Sequence, residues 1–173
     1  VEASSNCDVL ITTGGVSVGD ADYVKDVLEK VGKVNFWKIA VKPGRPLAYG
    51  KIKKCIFFGL PGNPVSVVVT FNLFVNAALN KLIGKSNDHP LSLKAELLTD
   101  IKKRKGRKEY KRGILISKKS KLYVRKSGSQ GSNILSSVKD ANCYIELSEN
   151  MREVSKGTKV KVLPFTLKSE YYE

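Results

Sequence analysis

Residues 7–32 read CDVLITTGGVSVGDADYVKDVLEKVG, and their pattern decides the fold class. Cys7 to Thr12 is an apolar run ended by Thr13, Gly14 and Gly15, which is how a buried strand runs into a tight turn. Asp20, Ala21 and Asp22 then precede Tyr23, Val24, Val27, Leu28 and Val31 at helical spacing. Aspartates in a first helical turn suit both the cap and the helix dipole, and Gly32 closes the helix.

The alternation continues outward from this unit. Residues 34–41 read as a second strand, Pro43 to Pro46 as a turn, and residues 47–49 and 55–59 as strands around a basic turn at Lys51 to Lys54. A helix is expected beyond Pro61, Gly62, Asn63 and Pro64. Its positions Val65, Val68, Val69, Phe71, Leu73, Phe74, Ala77, Ala78, Leu79 and Leu82 are apolar nearly all round, which predicts a buried helix. Strand, helix, strand, strand, helix is an α/β pattern with a largely parallel sheet. Beyond Asn87, Asp88, His89 and Pro90 the chain turns to short β-rich stretches at 91–98, 110–117, 122–125, 143–147 and 159–164, with one helical turn within 133–139. The expected organisation is an α/β domain over 1–87 and a small β-barrel or sandwich over 88–173.

With 173 residues, 42% of them hydrophobic, the chain can bury a core, which excludes a disordered tail. Its formal net charge is +15. Residues 1–88 hold 11 Lys/Arg against 7 Asp/Glu, whereas residues 89–173 hold 20 against 9, so the second half is the basic one. Such a field draws anions, whether nucleic acid, a phosphorylated small molecule or an oxyanion. Three widely spaced cysteines, Cys7, Cys55 and Cys143, give neither a disulfide framework nor a zinc site. Together with the lack of a signal-peptide layout, they point to a reducing, cytoplasmic compartment. No apolar run reaches the roughly 18 residues of a membrane span, so no membrane partner is expected. The first residue is Val rather than Met and a strand follows at Cys7, which reads as a chain that begins inside a domain.

Four stretches could carry chemistry. In TTGGVSVGDADY (12–23), a Gly-Gly turn between strand and helix exposes backbone amides and a helix dipole to an anion, or is simply a tight turn needing positive φ. It is neither the spaced-glycine dinucleotide fingerprint nor a P-loop. In FWKIAVKPGRP (36–46), Lys38 and Lys42 lie an even number apart, so on one strand both would project from one face, with Arg45 following after the turn. Three converging cations make an oxyanion cradle, while the alternative is a solvated edge strand rich in Lys. In FFGLPGNPVS (57–66), Ser66 begins the helix, where its hydroxyl and free amides could meet an anion, or the segment is a plain turn into a helix. Last come KGRKEYKRG around Arg107 and SGSQGSNILSS around Ser132, a Gly/Ser loop with a basic neighbour. His89 stands alone in the linker, so no Ser-His-Asp or Cys-His arrangement can be built.

Read together, these four ordered motifs resemble the molybdopterin molybdenumtransferase family, the bacterial MoeA proteins and the gephyrin E domain, over essentially the whole chain. The resemblance implies the latter part of a molybdopterin-binding, three-layer α/β domain followed by a C-terminal β-barrel domain, with two further domains before Val1. It implies a Mg²⁺-assisted reaction that inserts molybdate into adenylated molybdopterin and releases AMP. The catalytic residues carried over are Asp22, Lys38 and Lys42, Asp22 also as a Mg²⁺ ligand. The molybdate cradle would use Lys42, Arg45, Pro46, Ser66, Arg107 and Ser132. The loops holding molybdopterin would be Thr13, Gly14, Gly15 and Ser17 with Pro61, Gly62, Asn63 and Pro64. Arg45 stands where many relatives carry Lys, replacing a point charge by a planar fork. A homodimer and a molybdopterin adenylyltransferase partner are also implied.

Two other readings compete. A basic RNA- or DNA-binding module draws on Lys102, Lys103, Arg104, Lys105, Arg107, Lys108, Lys111 and Arg112, with Tyr110 interleaved and Tyr123 nearby, although the run reads more simply as a solvated hairpin. A non-catalytic scaffold or interaction fragment is the other.

Overall fold

A computed structural model describes residues 2–15, 28, 30–85, 91–131 and 135–165. They group into two compact units, Val1–Ile39 with Pro43–Asn76, and Ala40–Lys42 with Ala77–Glu173.

The first unit begins with a helical turn, α1 (Glu2–Ser5), and is built on strands β1 (Val9–Thr13), β2 (Lys33–Lys38), β4 (Pro46–Ile52) and β5 (Cys55–Leu60). Between β2 and β4 the two-residue β3 (Val41–Lys42) pairs elsewhere. The sheet order is β1-β5-β4-β2. Strand β5 is buried along nearly its whole length, as a central strand covered on both faces should be. Leu28 and Val31 pack with Val34, Ala48, Ile52 and Phe57, which fits the expected core face of the helix before Gly32; residues 16–27 and 29 lie outside the described residues.

The expectation of a largely parallel sheet does not hold for the described residues, which are mostly strands with few helices and do not make a clear three-layer α/β arrangement. Only β1–β5 is parallel, whereas β4–β5 and β2–β4 are antiparallel. The reason lies in the connections. Lys53 and Lys54 close a two-residue hairpin between Ile52 and Cys55, and residues 39–45 return β2 directly into β4; neither is long enough for a parallel crossover.

After β5 come α2 (Pro64–Thr70), a π-helical turn (Phe71–Val75) and α3 (Asn76–Leu82). The helix is buried as expected at Val65, Ser66, Val69, Thr70 and Val75, but α3 has no buried residue, and Leu82 and Ile83 are exposed, so its last part departs from the expected buried helix. Its 19 residues also reach the length and composition of a membrane span, contrary to the sequence expectation. Asn72, Asn76 and Asn80 nevertheless recur four apart along it, with Asn76 donating to Asn72 at 3.2 Å, a polar stripe suited to a helix of a folded domain.

The second unit is the expected small β-barrel. Strands β6 (Leu93–Leu97), β8 (Lys108–Lys118), β9 (Lys121–Lys126), β10 (Cys143–Leu147) and β12 (Lys159–Pro164) close into a five-membered ring through the β8–β10 pairing. A separate ribbon joins β7 (Ile101–Lys102) to β11 (Glu153–Val154), and α4 (Ser136–Lys139) supplies the single helical turn. Strand β8 turns the corner at Gly113, which pairs both Cys143 and Lys126. A Cβ at that point would lie 2.8 Å from Ile145 Cγ1, so glycine is required by the close approach of the two strands. Leu97, Leu115, Val124, Ile145, Leu147 and Val162 fill the barrel interior.

Candidate functional site

Three of the four stretches meet at one end of the first unit's sheet. Strand β1 runs out at Thr13, beside the last residue of β5, Leu60. Gly14 and Gly15 then turn with positive φ, and the Gly14 amide donates to the Leu60 carbonyl at 3.0 Å. Gly62 lies against this turn, since a Cβ on it would be 3.5 Å from Gly14 Cα. On the other side of β5, strand β4 begins at Pro46 opposite Lys38, the last residue of β2. Thr13 to Gly15, Lys38, Arg45, Pro46 and Pro61 to Pro64 therefore rim the same edge, the position where α/β sheets take ligands at the carboxyl ends of parallel strands.

The turn 43–46 is seated on helix α2. Gly44 has φ +101° and is buried; a Cβ there would come 2.4 Å from Thr70 Cγ2. Thr70 Oγ1 in turn donates to the Ser66 carbonyl at 2.7 Å. Only glycine combines that φ with that approach, so Gly44 is what brings Arg45 to the helix carrying Ser66. Lys38 and Arg45 are exposed, and among the described residues neither carries an ion pair.

Two details differ from the sequence expectation. Lys38 and Lys42 do not share a strand face: β2 stops at Lys38, the Ile39 amide donates to the Arg45 carbonyl at 2.8 Å, and Lys42 lies on β3, which belongs to the second unit. The amides at the start of α2 are not free either. Asn63 Oδ1 accepts from Val65 N at 3.1 Å and Ser66 N at 3.3 Å, and the Asn63 carbonyl accepts from Val67 N at 2.9 Å, while Ser66 itself is buried. Asn63 is thus a helix cap. Asp22, Ser17 and Ser132 lie outside the described residues.

In the second unit, β3 lies parallel to the start of β8, with Val41 opposite Lys108 and Lys42 opposite Glu109. Half-buried Arg107 immediately precedes that pairing. Glu109 is 2% exposed, and its Oε1 lies 3.4 Å from Lys42 Nζ while Oε2 lies 2.8 Å from Lys111 Nζ. At 2.8 Å the Lys111 ammonium is the closest counter-charge to the buried Oε2. Burial pushes the Glu109 carboxyl up, but Lys111 and then Lys42 outweigh it and hold its pKa below the usual carboxylate range.

Among the described residues Arg112 is the largest fully buried side chain. Its guanidinium donates to Ser137 Oγ at 3.0 Å and to the carbonyls of Gly131 at 3.0 Å and Ser129 at 3.4 Å. Gln130 bonds both backbone groups of Arg112, accepting from its N–H at 2.9 Å and donating to its carbonyl at 3.1 Å. The Gly/Ser loop is therefore clamped onto β8. Burial pulls the guanidinium pKa down, in the absence of any carboxylate against it among the described residues.

The basic run is solvated only in part: Lys102, Arg104 and Lys105 are exposed, as read from composition, whereas its later members are engaged or buried. Lys103 Nζ donates to the carbonyls of Ser148, Glu149 and Met151, Lys102 pairs with Glu153 at 3.6 Å, and Lys108 with Glu146 at 3.6 Å. Tyr110 is buried beside Tyr144, and burial with Glu146 pushes its hydroxyl up to about 12. A buried tyrosine offers no face for a base to stack on, so the nucleic-acid reading loses the aromatic residue interleaved in its basic run. Sequence reasoning missed Glu109 and Arg112 as buried groups. Period-two alternation puts Glu109 and Lys111 on one face, a signal for their pairing, but nothing local marks Arg112 as buried.

Among the described residues no three His, Cys, Asp or Glu side chains gather where they could hold a metal ion. That part of the chain does not by itself fit a magnesium site.

Two family models match the chain: a probable molybdopterin binding domain over residues 1–81 and the MoeA C-terminal region (domain IV) over residues 94–165. A molybdopterin molybdenumtransferase of Haemophilus influenzae is 45% identical over 167 residues, which is 95% of this chain and 41% of that protein. Gephyrin of Dictyostelium discoideum is 40% identical over 94% of this chain and 26% of its own length. Among solved structures, the molybdopterin biosynthesis moeA protein of Pyrococcus horikoshii OT3 superposes with a TM-score of 0.70 at 31% identity, covering 94% of this chain and 36% of that one. The chain thus spans about two fifths or less of the length of these relatives.

Proposed function

The chain belongs to the MoeA and gephyrin family, and from that premise we propose that it takes part in molybdenum cofactor biosynthesis as the molybdopterin- and oxyanion-binding portion of a molybdopterin molybdenumtransferase. The reaction is insertion of molybdate into adenylated molybdopterin with release of AMP. The observation that carries this reading is the convergence of the Gly14–Gly15 turn, the Pro61–Pro64 loop and the cations Lys38 and Arg45 on one sheet edge, inside the segment matched as a molybdopterin-binding domain.

In this proposal Thr13, Gly14, Gly15 and Ser17, with Pro61, Gly62, Asn63 and Pro64, hold the pterin and its phosphates. Lys42, Arg45, Pro46, Ser66, Arg107 and Ser132 serve the tetrahedral molybdate dianion. Cations supply charge, Arg45 a planar pair of donors, and the hydroxyls fix orientation. Asn63 already satisfies the first amides of α2, so Ser66 contributes through its side chain. Lys38 and Lys42 stabilise charge at the reacting oxyanion, and Asp22 orients a lysine or supplies a carboxylate to magnesium. Among the described residues no three metal-ligating side chains gather, and Asp22 is the carboxylate that would hold a magnesium ion, which would supply charge to the phosphates. Cytoplasmic location, a homodimer and a molybdopterin adenylyltransferase partner complete the proposal.

Equilibrium dialysis of radiolabelled molybdate against the wild-type chain and Lys42→Ala tests it. The variant is expected to bind molybdate at least tenfold more weakly, and unchanged affinity would remove Lys42 from the cradle.

A further inference from the structure

None of the three cysteines has a role in the proposed reaction, yet two of them face each other. Cys7 Sγ and Cys55 Sγ are 3.4 Å apart, with Cys7 exposed just before β1 and Cys55 1% exposed at the start of β5. The strands around them are held together on their own account. Val9 lies opposite Ile56 in a parallel pair, and the Ile56 amide donates to the Asp8 carbonyl at 2.9 Å. Cys143, by contrast, is buried alone in the barrel core.

We propose that Cys7 and Cys55 form a reversible disulfide under peroxide, a modification site that clasps the first unit's sheet at the end opposite the candidate functional site. The sulfurs need to close only from 3.4 Å to the roughly 2.05 Å of an S–S bond, a shift that side-chain rotation and slight backbone adjustment supply. The exposed Cys7 sulfur is the one a peroxide reaches. It attacks one peroxide oxygen, the O–O bond breaks, and Cys7 becomes a sulfenic acid while the departing hydroxide takes a proton to give water. Cys55 sulfur then attacks Cys7 sulfur, the S–O bond breaks, and the Cys55 proton leaves with that oxygen as a second water. Two thiols are oxidised to one disulfide as one peroxide is reduced to two waters. Burial, followed by the neighbouring Cys7, raises the Cys55 thiol pKa and keeps it protonated, which leaves the peroxide step to the exposed Cys7. A dithiol reductant reverses the bond.

The bond would close a loop spanning residues 7–55, which contains both the Gly14–Gly15 turn and the turn at Gly44. Closing it limits the unfolded chain more than the folded one, so oxidation should raise the thermal midpoint of the first unit.

The test is to treat the whole chain with a few equivalents of hydrogen peroxide, denature it and count thiols. The expected count falls from three to one, with a Cys7–Cys55 linked peptide in non-reducing peptide mapping and a midpoint increase that dithiothreitol abolishes. Cys7→Ser, exposed and able to keep the hydrogen bond that Cys7 makes to the Ala3 carbonyl at 3.1 Å, should keep its fold and retain both remaining thiols under the same treatment. Cys7 sulfinic acid with Cys55 still reduced, a Cys7–Cys7 linked dimer, or three surviving thiols would each overturn the proposal.

Discussion

Glu109 joins two lysines to one buried carboxylate, and its removal would leave Lys111, whose side chain is 14% exposed, without its counter-charge. Glu109→Gln is therefore expected to destabilise the barrel by about 3 kcal/mol in urea denaturation, the scale for breaking a buried ion pair from one side. The same group fixes a pH dependence. Its folded pKa is depressed, so its contribution is complete above the unfolded carboxylate value of about 4.3 and disappears as pH falls through the lower folded value. Wild type should lose stability on that acid limb more steeply than Glu109→Gln, measured by urea midpoints between neutral pH and pH 3. At this scale the sequence showed which residues carry charge but not which are buried. Arg112 sits in a run that reads as surface on composition, and it is Ser137 Oγ with the carbonyls of Ser129 and Gly131 that hold it inside.

Elements were most legible where alternation and turn chemistry agreed. The stretches 143–147 and 159–164 emerge as strands with the expected limits, and Pro64 opens a helix behind an Asn cap. Asn63→Ala should cost the first unit about 1 kcal/mol, seen as a lower thermal midpoint, because two amides lose their acceptor. The β8–β9 hairpin turns on Lys119 and Ser120, both with positive φ, a conformation that Asn and Gly adopt more readily. Lys119→Asn with Ser120→Gly should accordingly stabilise the barrel by roughly 0.5–1 kcal/mol in the same denaturation assay. The ribbon between β7 and β11 left no trace in the sequence, because two residues are too few to show a period.

For the whole molecule, the charge of +15 posed the question of which anion is drawn, and the fold narrows it by engaging much of the basic run in internal contacts. Sulfate, a tetrahedral dianion like molybdate, should compete for the proposed cradle, and Arg45→Ala should weaken both anions in parallel in competition dialysis; weakening of one alone would argue for separate sites. Sequence by itself determined the opening strand and its Gly-Gly turn, the barrel strands of the second half, and the motifs that carry the family resemblance, because periodicity and turn chemistry are local properties of the chain. Tertiary structure alone decided that the first sheet is mostly antiparallel in its described part, that Lys42 leaves its strand to join β8, and that Cys7 meets Cys55. Each of these depends on which distant segment lies alongside, and burial and pairing between residues tens of positions apart are set by packing and not by the neighbours in sequence.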